Sequence, residues 1–248
     1  CGEPAYDERW FKHYTIWDYF LRDNAGKPDR PEDIPPEGMT LRHLTAWYLG
    51  MVTLVDDLVG EAMAKLVEHG LDRDTVVVFL SDHGDNLGSH GRFNKGALLE
   101  ESIRVPLVFR VPAHFGPAVV RRQVAQTIDL APTLLSLLGL APPVAMQGRD
   151  LTPLIRAERE HLADDSGIIE SPGQGAGIRT PRYMLGVPHG EKTDARLPLA
   201  ERPEMLFDLE RDPLQLNNRI DDPQYAGVRR ELHERLNAWD RTTPWWQT

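Results

Sequence analysis

Five apolar residues in a row, Val76 to Leu80, run without a break into Ser81-Asp82-His83-Gly84. This junction constrains the fold more than any other stretch of the chain. An apolar run with no period of two reads as a strand covered on both faces, as in a mostly parallel sheet. In α/β sheets, ligands sit beyond the carboxyl ends of such strands. A strand is therefore expected over Thr75–Leu80, with chemistry in the loop that follows. Neighbouring side chains of an extended chain point to opposite faces. Asp82 and His83 can share one ion only if the backbone bends between them, and Gly84 permits that bend. A plain turn with helix-capping polar groups would use the same three residues, so both readings stand on the residues alone. Gly88 and Gly91 keep the loop backbone open to close approach, and His90 lies between them. Lys95 brings a cation twelve residues after His83.

The whole segment, Ser-Asp-His-Gly-x-x-x-Gly-x-His-Gly-x-x-x-Lys-Gly from Ser81 to Gly96, resembles the metal-and-lysine loop of the sulfatase family. That family belongs to the alkaline phosphatase superfamily, with the phosphonate monoester hydrolases. The resemblance extends to Tyr48-x-x-x-Val52-x-x-x-Asp56-Asp57-x-x-Gly60 before the loop, and to Arg104-Val105-Pro106-Leu107 after it. It continues through Ile128-Asp129-Leu130-Ala131-Pro132-Thr133, Gln147-Gly148-Arg149-Asp150-Leu151 and Leu206-Phe207-Asp208-Leu209-Glu210-x-Asp212-Pro213, in the family's order. It implies that Asp82 and His83 ligate an active-site divalent metal ion and that Lys95 binds the sulfate or phosphoryl oxygens. His90 falls in the matching Gly-x-His-Gly element, as a substrate-binding group or as one that orients the loop. Manganese, calcium and magnesium are the candidate metals; the imidazole of His83 tilts the choice towards manganese.

The resemblance implies a formylglycine nucleophile, made from the cysteine or serine of Cys/Ser-x-Pro-x-Arg, and an Asp-Asp pair that completes the metal site. Cys1-Gly2-Glu3-Pro4-Ala5 does not fit the first, and no Asp-Asp pair follows an expected strand, Asp164-Asp165 and Asp221-Asp222 standing in the wrong context. The chain is thus expected to be the C-terminal part of a longer hydrolase, inactive and poorly soluble on its own. The reaction expected is hydrolysis of a small-molecule sulfate ester, with a phosphonate or phosphate ester as the alternative. A non-catalytic binding relative is disfavoured by the joint presence of Asp82, His83 and Lys95.

Composition narrows the classes further. Of 248 residues, 41% are hydrophobic, enough for a real core. The net charge of −10 argues against nucleic acid as a partner. No apolar run approaches the roughly 20 residues of a membrane span. One cysteine excludes an internal disulfide. Compartment and oligomeric state are left open.

The expected fold class is α/β. Residues 1–155 are read as part of a mostly parallel sheet flanked by helices, alkaline phosphatase-like by resemblance. Residues 156–248 are read as a small α+β subdomain with a short antiparallel sheet and a terminal helix. Along the chain, an aromatic helix is expected over Asp7–Arg22. A long helix over Leu41–His69 follows, with Leu44, Trp47, Met51, Leu54, Val55 and Leu58 in an apolar stripe and Gly70 as C-cap. Asp56-Asp57 diverge on that helix and are assigned to helix solvation and packing. Glu100, Glu101 and Arg104 are candidates to hold the loop down, or are surface charge. Further elements are expected over Ala97–Ser102 (helical), Pro106–Val111 (strand), Val119–Val124 (strand) and Thr127–Leu140 (helix). Leu151–Ile155 reads as a helical turn and Arg156–Asp165 as a surface linker. Gly167–Glu170, Gly177–Ile178, Tyr183–Val187 and Leu206–Leu209 read as strands, and Tyr225–Trp239 as the last helix.

Overall fold

The structure, a computed structural model, describes residues 41–92, 94–111, 121–171, 175–188 and 205–243. The aromatic helix expected over Asp7–Arg22 lies outside them. The described residues fall into two compact units: 41–75 with 86–92, and 76–85 with the described residues from 94 onward.

The first unit holds helix α1, Leu41–Glu68, and a 3-10 turn, Ser89–Gly91. Helix α1 ends as expected. Gly70 sits at φ 67°, its N–H bonds Val67 O and the Leu71 N–H bonds Leu66 O, the paired bonds of a glycine-closed helix end. The apolar stripe departs from expectation. Trp47, Met51, Leu54, Val55 and Leu58 are all exposed. A helical period registers which face seeks cover; it does not supply the cover. Asp56 and Asp57 are exposed, as solvating residues should be.

The second unit carries both sheets. Strands β1 (Val77–Leu80) and β2 (Leu107–Arg110) pair antiparallel, Val77 opposite Arg110 and Leu80 opposite Leu107. The α/β class holds, but no parallel pair occurs among the described residues. The apolar run signalled cover and could not signal strand direction. Phe79 and Val108 are cross-strand partners and both are exposed, so the expected two-sided cover is incomplete there. Helix α2, Glu100–Ile103, is shorter and later than expected, because Leu99 is extended at φ −113° and ψ 146°. Helix α3, Leu130–Leu137, follows a 3-10 turn at Thr127–Asp129. Helix α4 is the single turn Thr152–Ile155.

The antiparallel sheet and the terminal helix match their reading closely. Strands β3 (Gly167–Ser171), β4 (Gly175–Arg179), β5 (Tyr183–Pro188) and β6 (Met205–Asp208) form one sheet in chain order. Helix α5, Ala226–Thr242, closes one face. Alternation along β5 and β6 decides the packing. Leu185, Val187 and Leu206 join Tyr225, Leu232 and Leu236 on the helix side. Met184 and Phe207 join Leu98 and Leu209 on the other, with Ile103 against them. The sheet is therefore packed against the segment that leads into α2.

Two buried ion networks explain sequence motifs that carry no chemistry. Asp129, fully buried, accepts from the Arg149 N–H at 2.7 Å, from Arg149 Nη2 at 2.7 Å and from the Gln126 N–H at 3.0 Å. Thr133 Oγ1 donates to Asp129 O and accepts from the Leu151 N–H. Arg149 also donates to Val124 O and Asp164 O, and the Val124 N–H donates to Asp165 Oδ1. Residues 121–124 are accordingly irregular rather than strand, since Val124 gives its backbone groups to side chains instead of a ladder. Asp164 and Asp165, read as linker, are tied to the body by the same bonds.

In the second network, Asp208 accepts from Arg182 Nη2 at 2.8 Å, Arg182 Nε at 3.1 Å and Tyr225 Oη at 3.1 Å. The Arg182 bonds hold the Asp208 carboxyl below its ordinary value, against burial, which pushes it up. With the folded value depressed, the stability this network contributes is complete above the unfolded carboxyl's value of about pH 4 and is lost as pH falls through the folded value. Asp208→Asn is expected to cost about 2–3 kcal/mol at neutral pH, discounted because Arg182 is partly exposed. Urea titrations at pH 7 and at pH 3 check this. The gap between wild type and variant should narrow at the lower pH.

Candidate active site

The chain leaves β1 at Leu80 and bends at once. Ser81 Oγ donates to His83 O at 2.9 Å, and the His83 N–H donates to Asp82 Oδ1 at 2.9 Å. These short-range bonds fold the turn so that Asp82 and His83 face the same way. His83 Nε2 lies 3.3 Å from Asp82 Oδ2. The bend required for two successive side chains to meet is therefore present.

The hydrogen bond of the ring fixes the position of one proton. His83 Nδ1 sits 2.8 Å from Gly84 O, and a carbonyl can only accept, so Nδ1 carries a proton and donates. If Nε2 is unprotonated, a lone pair faces a carboxylate oxygen at 3.3 Å. That arrangement favours a cation between them, a proton or a metal ion. A ring nitrogen fixed by a backbone carbonyl, with the other nitrogen presented outward, is the usual disposition of a metal-binding histidine. The Asp82 carboxyl is held below its ordinary value, chiefly by the His83 N–H it accepts. It is thus a carboxylate throughout the neutral range. Its side chain is 82% exposed and that of His83 38%, so both are reachable from solvent.

These features fit one edge of a metal centre. They do not make a complete shell: among the described residues, no group of three or more histidine, cysteine, aspartate or glutamate side chains is placed to hold an ion. Asp82 and His83 could offer two donors, and a full shell would need others.

The other expected site residues are placed less closely. Lys95 is exposed and makes no ion pair among the described residues. It belongs to the same unit as Asp82 and His83. His90 is exposed and belongs to the other unit. Its backbone is left-handed, φ 55° and ψ 23°. The loop is rich in such conformations: Leu87, Gly88, Gly91, Asn94 and Gly96 all have positive φ. Non-glycine residues held there cost of order 1–3 kcal/mol each and cluster at ligand-binding sites. Gly91 at φ 66° has nothing within 4 Å of where a Cβ would sit, in keeping with a backbone left open to approach.

Sequence reasoning missed what lies behind the turn. The Gly84 N–H donates to Ser102 O at 2.9 Å, and a Cβ on Gly84 would collide with Glu101 O. Helix α2 is thus the surface against which the turn is set. Gly84 was legible as a bend; its partner, 18 residues on, left no periodic or motif signal.

Comparison with known proteins identifies the family. The sequence profile of the Sulfatase family matches residues 2–140. The multifunctional alkaline phosphatase superfamily protein PehA of Trinickia caryophylli is 31% identical over 211 residues, 80% of this chain and 40% of its own length. The ulvan-active sulfatase of Formosa agariphila is 31% identical over 202 residues, 77% of this chain and 37% of its own. Among solved structures, the phosphonate monoester hydrolase of Agrobacterium radiobacter superposes with a TM-score of 0.68 at 29% identity, over 82% of this chain and 42% of that one. The chain spans about two fifths of the length of the curated relatives it matches.

Proposed function

We propose, because this chain belongs to the sulfatase family, that it contributes the Asp82–His83 side of the metal centre in a hydrolase of sulfate monoesters. The observation that carries the proposal is the 3.3 Å approach of His83 Nε2 to Asp82 Oδ2, with Nδ1 already committed to Gly84 O. Asp82 and His83 would hold a divalent cation, manganese being favoured over calcium or magnesium by the imidazole donor. Such a cation, when bound, polarises a sulfuryl oxygen and stabilises charge that develops there. In this reading Lys95 supplies a second positive charge to the anion's oxygens, its ammonium being exposed and without an ion pair among the described residues. His90 binds the substrate or orients the loop. The formylglycine nucleophile implied by the family has no matching motif in these 248 residues, so the active enzyme draws it from other sequence. The substrate is a small sulfate ester; the acidic chain disfavours nucleic acid.

A phosphonate ester is the second reading, favoured by the likeness to a phosphonate monoester hydrolase. Both substrates present a tetrahedral anion to a cation and a lysine, so kinetics must separate them. The active enzyme is expected to hydrolyse an aryl sulfate with kcat/KM at least about tenfold above that for an aryl phosphonate monoester, about 1.4 kcal/mol of preference. The reverse order assigns it to the second class.

A further inference from the structure

The Asp82–His83 turn is tied to another element through the Gly84 N–H, which donates to Ser102 O. Whatever fixes α2 therefore fixes the turn. Helix α2 is a single turn, too short to hold itself in place, and no side chain of its own caps its start. The groups that hold it come from the antiparallel subdomain. The Glu100 N–H donates to Gln215 Oε1 at 2.6 Å, a cap delivered from 115 residues away. The Glu100 carboxylate, 13% exposed, accepts both prongs of the Arg179 guanidinium, Nε on Oε1 and Nη2 on Oε2, each at 3.2 Å. Arg104, at 4.0 Å, adds a weaker and more exposed contact.

Gln215 is an odd residue to find there unless it is needed. It is buried, with its backbone left-handed at φ 52°, a conformation a long side chain seldom adopts. Its Nε2 is buried without a hydrogen-bond partner among the described residues. The preceding Asp212 holds the turn in shape: its carbonyl accepts the Gln215 N–H, and its carboxylate accepts the Leu216 and Asn217 N–H groups. The local strain is thus spent on one bond, Oε1 to the start of α2. Arg179 is anchored likewise on β4, with Nη1 on Thr180 O.

We propose that Arg179 and Gln215 are positioning residues for the Asp82–His83 turn, acting through α2. The inference rests on the reading of that turn as metal-binding. Neither residue touches the reacting atoms. They set the height and angle of α2, hence of Ser102 O and Gly84, hence the two ligands. Such supporting contacts typically govern metal affinity by about 10- to 100-fold.

The test is Mn2+ titration of the active enzyme, wild type and variants, with thermal midpoints measured alongside. Gln215→Ala and Arg179→Met should weaken Mn2+ binding by about 10- to 100-fold. Arg179→Lys keeps the charge but loses the fork, so its affinity should fall between, with kcat restored by saturating Mn2+. Leu236→Ala serves as the control. It lies in the core on the opposite face of the sheet, and should lower the midpoint while leaving Mn2+ affinity within about twofold. Affinity unchanged in both Gln215→Ala and Arg179→Lys overturns the proposal, as does an equal loss in Leu236→Ala. A wild-type enzyme that binds Mn2+ no better than Asp82→Ala overturns the metal assignment itself, so the two failures are told apart.

Discussion

Changing His83 to alanine in the active enzyme is expected to lower turnover on a sulfate ester by about a thousandfold or more, the scale of losing metal-ion stabilisation of a transition state. Asp82→Asn should do nearly as much. The fold should not notice either change. The Asp82 side chain is 82% exposed, that of His83 is 38% exposed, and neither belongs to a core cluster. A thermal midpoint close to wild type is therefore part of the expectation. If both residues serve one centre, as proposed, their effects do not add and the double variant should cost little more than His83→Ala alone. Turnover measured with and without added Mn2+ checks the mechanism. Asp82→Asn, which keeps an oxygen donor, should regain part of its rate at high metal, and His83→Ala less. Two fully additive losses, insensitive to metal, would mean that the residues act separately.

Asp129→Ala is expected to do the opposite, damaging the fold rather than the chemistry. The carboxylate is fully buried and receives four donors from Gln126 and Arg149. Its removal leaves the Arg149 N–H and guanidinium, the latter 21% exposed, without their main partner. Breaking a buried pair in this way costs about 3–5 kcal/mol. For a chain of this size that is a fall of about 6–20 °C in thermal midpoint. Gly148→Ala should act on the same joint by another route. A Cβ there would collide with Ile128 O and lie 2.9 Å from the Asp129 N–H nitrogen, and backbone atoms cannot step aside as a flexible side chain can. Calorimetry on both variants checks the pair. Because they share one network, the double variant should lose less than the sum of the singles.

How much of this was legible depends on the range of each interaction. Strands β3 to β6 and helix α5 were readable because Leu185, Leu206, Leu232 and Leu236 repeat at the spacing of the element that carries them. The end of α1 was readable because Gly70 supplies a left-handed residue where a helix must stop. The bend that brings Asp82 and His83 together was readable because the two residues are adjacent and a glycine follows. Strand direction was not, since apolarity is the same in either sense. Nor were Glu100–Arg179, Glu100–Gln215 and Asp129–Arg149, in which polar partners stand 79, 115 and 20 residues apart. No period relates such residues, and only the folded chain brings them together. The motif around Asp129 and Arg149 resembled a family segment by sequence; the structure gives it a purpose, which is to lock α3 to the strand-linking segments around it.

If one cation bridges Asp82 and His83, crystals of the active enzyme grown with Mn2+ will show it in place. Anomalous scattering at the manganese edge should place a single peak within about 2.0–2.5 Å of Asp82 Oδ2 and His83 Nε2 together. A peak elsewhere, with His83 Nε2 bonded only to the Asp82 carboxylate, would contradict it.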